Sequence, residues 1–256
     1  MTQQPESAHS APGTVALVGS GEYLGVMDTT DAYLLETIGG ASNARVALLP
    51  TASGLEANGP TYWNNLGLKH FTQLGVKDIR LTTIIDRASA HNPDQLALLQ
   101  DANFYYLSGG NPQHTIETLR GSPAWEIITS AYQRGAVLAG CSAGAMTLSR
   151  YTVAIRQMMS GERPRWIESL AVVPDLVVFP HFDRMSRFLD SAELQALISR
   201  LPDGVLAAGI DENTVFVRIQ VDTKSTRWRV MGQQAVHLFA KNAPPHILQI
   251  GEEIVL

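Results

Sequence analysis

One cysteine, Cys141, among 256 residues removes any disulfide framework, because a single thiol has no partner within the chain. Charge is sparse too, at 17% of residues against 45% hydrophobic, the reverse of the composition that keeps a chain disordered. No apolar run approaches the roughly 18 residues that a spanning helix needs, so no membrane contact is expected. Basic blocks are missing and the formal charge is −5, which argues against a nucleic-acid partner. No H-x-x-H or H-E-x-x-H spacing occurs and Cys141 has no second thiol beside it, so neither a metal nor a cofactor is expected. Residues 1–13 (MTQQPESAHSAPG) lack the basic and apolar regions of a secretory signal and read as a solvated tail. The expected location is the cytoplasm, with 14–256 read as one domain in a monomer or homodimer.

What is present alternates. Short apolar segments at 15–19 (VALVG), 46–50 (VALLP), 79–84 (IRLTTI), 104–108 (FYYLS) and 136–139 (AVLA) read as strands buried on both faces of a parallel sheet. Between them the pattern predicts helices over 28–38, 61–74, 93–99, 112–119 and 123–134, several opened by Pro and the last closed by Gly135. Such alternation implies an α/β fold with right-handed crossovers and helices on both sides of the sheet. Residues 151–169 break the rhythm and read as an excursion over the active face. A strand at 176–179 and a helix over about 183–200 follow. From 205 onward the segments 205–210, 214–219, 227–231 and 235–239 suggest an antiparallel β addition at the sheet edge.

The informative segment is 136–147, AVLAGCSAGAMT. It places G-x-S-x-G after an apolar strand and before a helix-prone stretch, the context a nucleophile elbow requires. There the backbone turn is strained, small residues must flank Ser142, and the hydroxyl projects above the strand end. The amide of Ala143 then faces a reacting carbonyl oxygen. The plainer alternative is a glycine turn with a capping serine. A nucleophilic serine needs a base. Of the seven histidines, His181 alone directly follows an apolar strand, in VVFPHF, where catalytic groups collect in open α/β sheets. A buried histidine bonded to backbone is the competing reading. A second glycine turn, Gly109-Gly110-Asn111-Pro112-Gln113, supplies a further oxyanion donor, Gly110. It lacks the Lys and Ser/Thr of a phosphate loop. The turn at 19–25 (GSGEYLG) misses dinucleotide spacing by one residue and reads as an ordinary turn near the site.

Taken in order, VALVGSGEY, LSGGNPQ, AGCSAGAM, LAVVPDLVVFPHFDRMSR and LAAGIDENTVFV resemble the cyanophycinase and dipeptidase E family of serine peptidases. The resemblance implies a class I glutamine-amidotransferase-like, flavodoxin-type three-layer sandwich with a mostly parallel central sheet. It makes Ser142 the nucleophile, His181 the base, and Gly110 and Ala143 the oxyanion positions. It also implies an acid lying between the serine and the histidine in sequence. Glu162, in SGERPR, is the choice, with Glu168 the alternative. Gln113 and Arg187 fall at or near substrate-contacting positions, and Asn111 and Arg184 join them as candidates, an arginine fork suiting a substrate carboxylate.

Departures matter here. The family's G-G-D-Q is G-G-N-P-Q, Phe179 stands where cyanophycinases place an Asp, and Asp190 replaces a second Arg. Cyanophycin itself is therefore a poor fit, and the expected substrates are short, acidic or β-linked peptides. Asp211 and Glu212, after the strand ending at Ile210, read equally as a turn or as a substrate contact. Two other functions compete: a non-catalytic binding module of the same fold, and an amidotransferase using Cys141, whose position before the elbow points it into the sheet.

Overall fold

A computed structural model describes residues 12–153, 165–185, 191–221, 226–241 and 243–256. The first half is a regular alternation. Strands β1 (Val15–Val18), β2 (Arg45–Leu49), β3 (Asp78–Leu81), β4 (Phe104–Leu107) and β5 (Val137–Cys141) are interleaved with helices. The helices are α1 (Asp28–Glu36), α2 (Gly59–Gln73), α3 (Pro93–Leu99), α4 (Pro112–Leu119) and α5 (Pro123–Gln133). Proline opens α3, α4 and α5, and the preceding Asn92, Asn111 and Ser122 each accept a hydrogen bond from an amide in the first turn. Proline at that position gives up an amide that has no helical partner, while the polar cap satisfies one that would be orphaned.

The rest of the chain comprises α6 (Ala143–Leu148), β6 (Tyr151–Val153), β7 (Trp166–Glu168), β8 (Leu176–Pro180), α7 (Phe182–Met185) and α8 (Ser191–Ile198). Strands β9 (Leu206–Ile210), β10 (Thr214–Val221), β11 (Thr226–Gly232), β12 (Val236–Phe239), β13 (His246–Leu248) and β14 (Glu253–Val255) complete it.

The main sheet has the order β14-β11-β10-β1-β5-β4-β2-β3. Its five strands from β1 to β3 run parallel, while β10, β11 and β14 are antiparallel additions. Side chains alternate between two cores. Val15, Leu17, Tyr105 and Leu138 face a core with Ile128 and Tyr132 of α5. Ala16, Val18, Tyr106 and Ala139 face the other, with Leu34 and Phe71 of α1 and α2. Successive strand residues thus supply opposite layers, which is why these segments are apolar throughout and not alternating. Among the described residues no helix is long and apolar enough to cross a membrane.

Three expectations are refined. β3 ends at Leu81, short of Ile84. Just beyond it Thr82 bonds Leu48 O through both its amide and its Oγ1, and Thr51 Oγ1 donates to Ile84 O. The late strands do not all extend one edge. β8 and β9 pair in parallel inside a second sheet, β13-β12-β9-β8. The excursion over 151–169 includes a hairpin, β6 against β7. The helix expected over about 183–200 is represented by α7 and α8, residues 186–190 between them lying outside the described residues.

Candidate active site

At the end of β5 the backbone of Ser142 takes φ 49° and ψ −111° before α6 begins. Left-handed φ in a residue with a side chain is costly and persists where surroundings impose it. The two glycines of the motif are those surroundings. A Cβ on Gly140 would sit 2.6 Å from the carbonyl carbon of Gly144, and one on Gly144 would sit 2.3 Å from the Leu107 carbonyl oxygen. The Ser142 amide donates to Val18 O at 2.9 Å, fastening the turn to β1.

His181 reaches this serine from the other sheet. It follows β8, also at positive φ (51°), and the amides of Arg184 and Met185 donate to its carbonyl oxygen. Its Nε2 lies 3.0 Å from Ser142 Oγ and its Nδ1 lies 3.0 Å from Glu212 Oε1. The imidazole is 40% exposed and the Glu212 side chain 14%, so the ring is open to a substrate while its carboxylate partner is largely withdrawn from solvent. The pairing follows from register. In the parallel β8–β9 pair, Pro180 stands opposite Ile210, so the residues just past both strand ends emerge together. Glu212 is held in turn. Its amide donates to Asp183 Oδ1 at 2.9 Å, Gln234 Nε2 donates to its carbonyl oxygen at 2.8 Å, and the Arg184 guanidinium pairs with Oε2.

The remaining expected residues distribute as follows. Ala143 opens α6 directly after the serine, and the Gly109-Gly110 turn lies against it. A Cβ on Gly109 would be 3.4 Å from Ser142 Cβ, and Gly110, at φ 141°, abuts Ala52 O. Asn111 Oδ1 is engaged as the cap of α4, accepting from the His114 amide at 3.1 Å. Gln113 is exposed and donates to Glu117 Oε1 at 2.9 Å along the same helix. Arg184 is 64% exposed and paired with Glu212. Glu162, Arg187 and Asp190 lie outside the described residues, and Glu168 is exposed on β7. Cys141 is fully buried. Its thiol donates to Glu22 Oε2 at 2.8 Å. Burial first, and the neighbouring Glu22 charge second, push its pKa well above the ordinary thiol value. A thiol so held stays protonated and is a poor nucleophile.

Sequence reasoning therefore placed Ser142 and His181 in contact but did not single out Glu212 as the imidazole's partner. The available signal was GIDE, immediately after a strand; what was missing was that this strand neighbours β8 in parallel.

Comparison with known proteins bears on the whole chain. The profile of Peptidase family S51 matches residues 15–226. A cyanophycinase of Geminocystis herdmanii (strain PCC 6308) is 29% identical over 205 residues, covering 76% of this chain and 72% of that protein. A cyanophycinase of Synechococcus elongatus is 27% identical over 179 residues, covering 68% of this chain and 53%, about half, of its own length. The crystal structure of a peptidase from an acI-B1 Actinobacterium superposes with a TM-score of 0.83 at 31% identity, over 97% of this chain and 98% of that one. A putative peptidase E protein from Listeria monocytogenes EGD-e shares the fold, with a TM-score of 0.58 at 18% identity over 87% of this chain and 100% of its own.

Proposed function

The chain belongs to peptidase family S51, and from that premise we propose that it cleaves short peptides through a triad of Ser142, His181 and Glu212. The observation that carries this reading is the imidazole held at 3.0 Å on both nitrogens, by a hydroxyl on one side and a carboxylate on the other. A carboxylate on Nδ1 fixes the tautomer with the proton on that nitrogen, leaving Nε2 as the acceptor for the serine proton. Glu212 thereby takes the role that the family resemblance suggested for Glu162.

The steps are those of acyl transfer. Ser142 Oγ attacks the scissile carbonyl carbon as His181 Nε2 takes its proton. The amides of Ala143 and Gly110 stabilise the oxyanion, His181 returns the proton to the departing amine, and water repeats the sequence on the acyl-enzyme. Arg184, exposed beside Glu212, is suited to a carboxylate of the peptide, in keeping with acidic or β-linked substrates. A fluorophosphonate probe tests the assignment. The wild type is expected to label, Ser142→Ala to lose labelling altogether, and His181→Ala to label at least 100-fold more slowly. An intact protein that neither labels nor cleaves any member of an aspartyl-dipeptide panel would overturn it.

A further inference from the structure

We propose that Glu22 is a positioning residue of this site, holding the Gly109-Gly110 turn so that the Gly110 amide faces the oxyanion; the proposal rests on the reading of Ser142 and His181 given above. Glu22 is 6% exposed and sits in the turn after β1, followed by Tyr23 at φ 63°. Its two carboxylate oxygens reach two different catalytic turns. Oε1 accepts from the Gly109 amide at 3.0 Å, and Oε2 accepts from Cys141 Sγ at 2.8 Å. One buried carboxylate thus joins the loop after β4 to the residue preceding the nucleophile.

The consequence for Gly110 comes from what holds its neighbours. On one side the Gly109 amide is taken by Glu22, and on the other the Asn111 amide donates to Ala52 O at 2.7 Å. Among the described residues the Gly110 amide between them has no acceptor, which leaves it available to a ligand. Glycine at φ 141° has wide conformational freedom when unrestrained, so its amide direction depends on the two flanking bonds. The Cys141 thiol is also fitted to its part, since burial keeps it protonated and able to donate. The same turn touches the third element of the site. Ser20 Oγ accepts from the Asn213 amide at 3.2 Å, next to Glu212, and a Cβ on Gly21 would lie 2.3 Å from Asn213 Oδ1. What reads in sequence as an ordinary turn is the piece that the elbow, the oxyanion loop and the acid-bearing turn all touch.

Two substitutions separate positioning from packing. Glu22→Met deletes the acceptor at similar length, whereas Glu22→Gln keeps an oxygen for the Gly109 amide. With a fluorophosphonate probe, Glu22→Met should label Ser142 about 10- to 100-fold more slowly than wild type, less than the loss expected for deleting a donor outright. On any dipeptide cleaved, kcat should fall by a similar factor while KM stays within about threefold of wild type, and Glu22→Gln should recover to within about fivefold. Wild-type labelling by Glu22→Met, or a Gln variant as slow as the Met variant, overturns the proposal. Should Glu22→Met fail to fold, hydrogen exchange of the Gly109 amide in the wild type decides. A protected amide supports the contact and freely exchanging Gly109 refutes it. Failure of the triad reading is recognised separately, by a wild type that does not label.

Discussion

Substituting Glu212 by Gln isolates the carboxylate's charge from its shape. The amide keeps an oxygen able to accept from Nδ1 at the 3.0 Å separation, so the ring need not move, but the imidazolium formed during attack loses its counter-ion. For opposite unit charges with centres about 4 Å apart, the attraction is about 4 kcal/mol at an effective dielectric of about 20. Two features reduce it. The His181 ring is 40% exposed, which screens the pair toward the water value, and Arg184 already occupies the other carboxylate oxygen. About 2–3 kcal/mol remains for the transition state, corresponding to a kcat lowered about 30- to 150-fold with KM nearly unchanged. Single-turnover acylation by a p-nitrophenyl ester or fluorophosphonate, followed by mass spectrometry, reads the step directly. The matched substitution Glu162→Gln should leave the acylation rate within about threefold of wild type. A Glu212→Gln rate equal to wild type, or a larger loss in Glu162→Gln, would refute the assignment of the acid to Glu212.

Other outcomes follow from packing and burial. Gly144→Ala places a methyl 2.3 Å from the Leu107 carbonyl oxygen, so it should destabilise the fold by about 3 kcal/mol or more in urea denaturation and abolish labelling of Ser142. Phe71 is fully buried with rings of Phe104 and Tyr106 at 5.3 and 6.1 Å, so Phe71→Ala should cost about 3–5 kcal/mol by the same measurement. Arg218 is buried with Nε unpaired among the described residues. Its charge is set over the rings of Tyr132 and Trp228 at 5.6 and 5.8 Å. Burial pulls its pKa down to about 10. Arg218→Met should therefore stabilise the protein by about 1–2 kcal/mol at pH 7, the desolvation relieved exceeding the cation–π attraction lost. The pH dependence has a definite sign. Above about pH 10 the folded state loses this proton before the unfolded chain does, so the penalty at Arg218 shrinks and the gap to Arg218→Met narrows, while the buried Tyr23, Tyr105 and Tyr106, whose pKa values burial raises, lower the stability of both proteins alike. Calorimetric melting of both proteins between pH 7 and 11 checks this, and a gap that widens would contradict it.

The elements of the parallel half were legible because their determinants are local. Apolar segments such as VALV and FYYL need cover on both faces, and Asn-Pro or Ser-Pro pairs announce the start of α3, α4 and α5. The elbow was legible for the same reason: Gly140, Ser142 and Gly144 stand at alternate positions, one residue between each, and the clashes that demand glycine occur within that turn and the adjoining β4. The destination of β8 was not. Nothing within LVVFP distinguishes a strand that continues the main sheet from one that founds another, since both are buried on two faces.

That one ambiguity accounts for the acid. A carboxylate becomes the partner of His181 through strand register, here Pro180 opposite Ile210, and register is a property of pairs of segments. The family resemblance, which places an acid between Ser142 and His181 in sequence, favours Glu162; pairing β8 with β9 brings forward Glu212, 31 residues beyond the histidine. Glu22 is subject to the same argument at longer range, since its contacts with Gly109 and Cys141 span 87 and 119 residues. Local pattern identifies the groups that must sit on a strained turn, Ser142 above all. Groups that act by holding such a turn in place are under no local constraint, and the parallel neighbours that gather strand ends at one edge of a sheet select them.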